Sequence, residues 1–76
     1  MRTLREEIAR TANPRVEVRP IAGHVEAVVF DQDMETGVKT QFGTMVKADL
    51  ALTEMGLVRV ENKDMAGALA VYTKAA

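Results

Sequence analysis

The 76 residues fit one small domain, residues 1–76, whose core can bury roughly 60–65% of the surface exposed in the unfolded chain. Ten Lys and Arg against eleven Asp and Glu leave a formal charge of -1, so no bulk field draws the chain to nucleic acid or an anionic membrane. Cysteine, serine and tryptophan are absent and His24 and Tyr72 are single, which excludes disulfides, thiolate metal sites and Ser-His-Asp or Cys-His catalysis within one chain.

The first predicted element is a short helix. Thr3 and Glu6 form a T-x-x-E capping box, Leu4 and Ile8 share a face, and Asn13-Pro14 ends the element. With only two large apolar anchors, this helix is expected over a sheet edge or against a second subunit. Arg15-Val16-Glu17-Val18-Arg19 alternates with period two, and the flanking Pro14 and Pro20 read as an edge strand. Val25 to Phe30 is a denser apolar run that suits an interior strand. Asp31 to Gly37 reads as a polar hairpin loop closed by glycine, and Val38, Thr40 and Phe42 alternate in a third strand, giving an antiparallel meander.

Thr44 caps a predicted second helix over 45–55, with Met45, Leu52 and Met55 on one stripe and Val46, Leu50 and Thr53 on its neighbour, together a wide buried face. Gly56 is the left-handed stop, Leu57 packs back on Leu52, and 57–61 is a short fourth strand. Residues 63–75 read as a third helix, because Met65, Leu69 and Tyr72 fall at i, i+4, i+7 among alanines, with Asn62 or Asp64 as cap. The alternative is a turn at Gly67 and a return strand from Ala68 to Thr73 beside 57–61.

Two stretches carry local resemblances. Asp64 to Ala75 resembles the first helix of a tetratricopeptide repeat, but no second copy follows at the 34-residue period, so no solenoid is implied. Leu52-Thr53-Glu54-Met55-Gly56-Leu57-Val58-Arg59 is similar to the exit from the recognition helix into the wing of winged-helix regulators. That resemblance implies a small DNA-binding regulator with Gly67 to Tyr72 as the wing's return strand. Residues 24–43 depart from it, since they read as strands where that family needs a helix, and Lys47, Asp49 and Glu54 are a poor set for phosphates.

Conventional site chemistry is sparse. His24 and Glu26 lie on one face of a strand, as a general base and its orienting carboxylate would, but a rim histidine making a surface contact is the expected role. Asp31-x-Asp33-x-Glu35 echoes a calcium loop, yet Thr36 and Phe42 stand where an EF-hand needs glycine and glutamate. The glycines form no phosphate loop, so neither cofactor nor metal is expected.

The sequence therefore predicts an α+β domain, order α-β-β-β-α-β-α, whose three-strand meander and short fourth strand form a small antiparallel sheet covered by helices. The expected function is a non-enzymatic interaction module that meets a protein partner through charge. It would be an accessory or inhibitor protein of the kind mobile elements and phages encode, with DNA binding as the alternative. Asp31, Asp33, Met34 and Glu35 are the candidate protein-binding residues, since 20–38 hold no Lys or Arg to offset the acids. A homodimer through the Val16/Val18 edge strand is expected as well. The opening Met1 to Glu7 lacks the apolar core of a signal peptide and no run nears a membrane span, so the expected location is cytoplasmic.

Overall fold

The computed structural model describes residues 3–60 and 68–74. Its elements are α1 (Leu4–Arg10), β1 (Pro14–Ile21), β2 (His24–Asp31), β3 (Met34–Phe42), α2 (Met45–Glu54), β4 (Leu57–Val60) and β5 (Ala70–Lys74). The five strands form one antiparallel sheet in the order β3-β2-β1-β5-β4. The α+β class holds, and the order of elements among the described residues is α-β-β-β-α-β-β.

Two expectations are corrected. Residues 70–74 are a strand where a helix was predicted, which is the alternative of a return strand beside 57–61: Tyr72 pairs with Val16 on one side and Arg59 on the other. Alanine spacing favours a helix locally, but Ala70, Val71 and Tyr72 lie between two strands and are buried on both sheet faces, a position that suits valine and tyrosine. The predicted helix over 63–67 lies outside the described residues. The second correction concerns β1, which is the central strand and not an edge. β5 takes up the hydrogen bonds that the two prolines were expected to leave open, and Val16 and Val18 are therefore closed to a second copy.

One core joins both helices to one face of the sheet. Leu4 and Ile8 of α1 and Ala48 and Leu52 of α2 pack with Val16, Val18, Val25, Ala27, Val29, Leu57, Ala70 and Tyr72. The caps form as their residues require. Thr3 and Glu6 make a reciprocal capping box, Thr44 accepts from the Lys47 amide, and Gly56 adopts φ +86. The buried face of α2 is narrower than expected: Met45 and Met55 are partly buried against the core, whereas Val46 and Leu50 face outward. Alternate positions along β1 place Arg15, Glu17 and Arg19 on the other sheet face.

Candidate functional site

The four predicted site residues lie at the β2–β3 hairpin, whose connection is far tighter than a seven-residue loop. Asp31 pairs with Met34 across a two-residue turn of Gln32 and Asp33, and Gln32 takes φ 57 to close it. Gly37 does not close the turn. At φ +88 it sits in β3, where the two steps from Val28 to Phe30 face the four from Lys39 to Glu35. Thr36 fills this bulge, donating to the Val29 carbonyl at 3.0 Å and accepting from the Val38 amide at 3.3 Å.

The hairpin holds its acids around the tip and not on one side. Asp31 and Met34 point to the face that carries the helices, Glu35 stands opposite Phe30 on the other face, and Asp33 occupies the turn. Met34 is 75% exposed, the most exposed large apolar side chain described. The acids are not without a nearby cation, contrary to expectation. Arg15 reaches across from β1 and places its guanidinium 3.6 Å from Asp33, whose side chain is 99% exposed. That pair is worth little in water, so the tip keeps most of its negative field.

Beside the tip lies a polar recess of about 430 Å³, lined by Glu7, Arg10, Thr11, Ala12, Asp31 and Thr36. Glu7 is nearly fully buried and is held by Arg10 at 3.2 Å. The Thr11 hydroxyl donates to the Glu7 carbonyl at 2.7 Å, and the Lys74 ammonium donates to the Thr11 carbonyl at 3.0 Å, which ties the end of β5 to the end of α1. The lining of the recess holds the Glu7–Arg10 ion pair and the Asp31 carboxylate, with the Lys74 ammonium beside it at Thr11. Sequence reasoning missed it, although Glu7 and Thr11 stand three and seven residues after Leu4, on the face that α1 buries.

The sheet face opposite the helices has its own arrangement. Glu17 accepts from Arg15 at 3.0 Å and from Arg19 at 2.9 Å, and both guanidinium groups lie over the Phe30 ring, at 4.7 and 5.5 Å from its centroid. The two guanidinium groups cover Phe30, which is buried, so this ring is no stacking platform for bases. His24 and Glu26 share the same face, as expected. His24 is half-buried, and its Nε2 has no hydrogen-bond partner among the described residues. Among those residues no three His, Asp or Glu side chains converge as metal ligands, and no helix is long and apolar enough to cross a membrane.

The β4–β5 hairpin lies where a wing would follow α2, but β2 and β3 occupy residues 24–42, where the winged-helix pattern needs a helix. Compared with protein-family models, curated proteins and solved structures, the chain has no significant match.

Proposed function

We propose that the chain is a non-enzymatic, cytoplasmic interaction module, an accessory or inhibitor protein that engages a basic protein partner through the β2–β3 hairpin and the recess beside it. The observation that carries this reading is the placement of Met34. A 75%-exposed methionine costs solvation in the free protein, and here it is fixed on a tight hairpin with Asp31, Asp33 and Glu35 around it. Methionine adapts to varied apolar surfaces, while the carboxylates steer a cationic partner to it. The recess adds to the fit: Asp31 at its rim can receive a lysine or arginine side chain from that partner, while Glu7 is already held by Arg10.

The test uses a basic peptide of alternating arginine and leucine, titrated calorimetrically into wild type and the Asp31→Lys/Asp33→Lys double variant. The reading predicts that the variant binds at least tenfold more weakly, about 1.4 kcal/mol, and that wild-type binding weakens as salt rises. Both positions are exposed, so the melting temperature should barely move. Equal binding by the two proteins would refute the assignment of the hairpin.

A further inference from the structure

Val46 and Leu50, one turn apart on α2, are 69% and 59% exposed. At about 100° per residue, Leu50 points directly away from Ala48 and Leu52, the two residues that α2 buries. Val46 and Thr53 flank Leu50 on one side, and Lys47 and Glu54 border it on the other; all five are exposed. Positions 46, 50 and 53 alternate steps of four and three, the seam of a paired helix, and Lys47 and Glu54 repeat at seven along its border.

We propose that this face docks a second copy of the chain, with the two α2 helices antiparallel about a two-fold axis at Leu50. The charges choose this occupant. An antiparallel pair sets Lys47 of each copy beside Glu54 of the other, and each Leu50 against its equivalent. A two-fold interface uses one patch twice, so a helix whose border is basic at one end and acidic at the other is complementary to itself. A parallel pair would set the Lys47/Glu54 border of each copy against the Val46/Thr53 side of the other and leave both charges without an opposite partner. The sheet offers poorer routes to a second copy. β1 is interior, β3 carries its bulge and Lys39 on one edge, and β4 is only four residues long on the other. Two helices of ten residues form a contact at the small end of specific interfaces, so the expected dimer is weak and concentration-dependent.

Sedimentation equilibrium of the full chain from micromolar to millimolar concentration tests the proposal. Lys47→Glu and Glu54→Lys should each weaken the dimer at least tenfold, and the double reversal should restore it, while Leu50→Glu should leave a monomer at every concentration. The charge variants are safe for the helix. Lys47→Glu sets a carboxylate three residues after the Thr44 cap, the capping-box spacing already used by Thr3 and Glu6, and Glu54→Lys sets a cation at the negative end of the helix dipole. Circular dichroism of each variant should therefore match wild type. A monomer throughout the concentration range, a dimer indifferent to both single reversals, or a double variant that fails to recover would each overturn the proposal. The hairpin variant Asp31→Lys/Asp33→Lys should dimerise as wild type does, which separates this interface from the partner-binding tip.

Discussion

Tyr72 joins the sheet to α2 through one polar contact. Its ring is fully buried in the core while its hydroxyl donates to Asp49 Oδ1 on the helix. Burial, then the hydrogen bond to Asp49 and that carboxylate's charge, push the phenol up to about 12 from 10, with Arg59 acting weakly the other way. The folded state thus holds the phenolic proton more tightly than the unfolded chain does. The resulting stability is fully present below pH 10 and is lost as pH rises from 10 through about 12. With a single tyrosine and no tryptophan, absorbance near 295 nm follows this group alone. Its midpoint should lie near 12, and a midpoint near 10 would show that the contact does not persist in solution. Tyr72→Phe should lower unfolding free energy by about 1.5–3 kcal/mol in urea titration, because half-buried Asp49 loses a donor. A loss below about 0.5 kcal/mol would mean that water replaces the hydroxyl.

Among the elements, legibility followed how local each determinant was. Caps act within one turn, so Thr3, Thr44 and Gly56 announced both helices from the sequence, and period two announced β1. β5 was legible only as the alternative to a helix, for the opposite reason. Met65, Leu69 and Tyr72 repeat with helical spacing among alanines, so the return strand beside 57–61 stood only as the alternative, and what settles 70–74 as a strand is its second pairing, with β1 more than fifty residues away in sequence. The same distant partner turned β1 from an apparent edge into the centre of the sheet. Val46 and Leu50 were misplaced because an apolar stripe shows that a helix has two sides without saying how many neighbours it has. Amide exchange checks the corrected element. The Tyr72 amide lies between two paired strands, so it should exchange with the slowest in the protein, close to the global unfolding limit. Exchange as fast as at the β3 edge would contradict an interior β5.

For the whole molecule, the candidate site was legible in composition but not in shape. The concentration of acids between 31 and 35 is visible in the chain, whereas their spread around a two-residue turn, the reach of Arg15 to Asp33 and the recess with Glu7 all depend on strands meeting across the sheet. The fold divides its surface by charge. Arg15 and Arg19 of β1 are tied to Glu17 and laid over Phe30, so these two cations are largely engaged in the molecule's own contacts. The acids of the hairpin are not, which leaves an outward negative tip on a protein of formal charge -1. Mapping where a basic chain lands tests this division most directly, by adding the arginine–leucine peptide to ¹⁵N-labelled protein and following every amide resonance. The account predicts that the largest shifts cluster at Asp31 to Thr36 and at Glu7 to Ala12 around the recess, with β1 and the outer face of α2 little affected. Shifts centred instead on Arg15, Arg19 and Phe30, or scattered evenly over the surface, would contradict it.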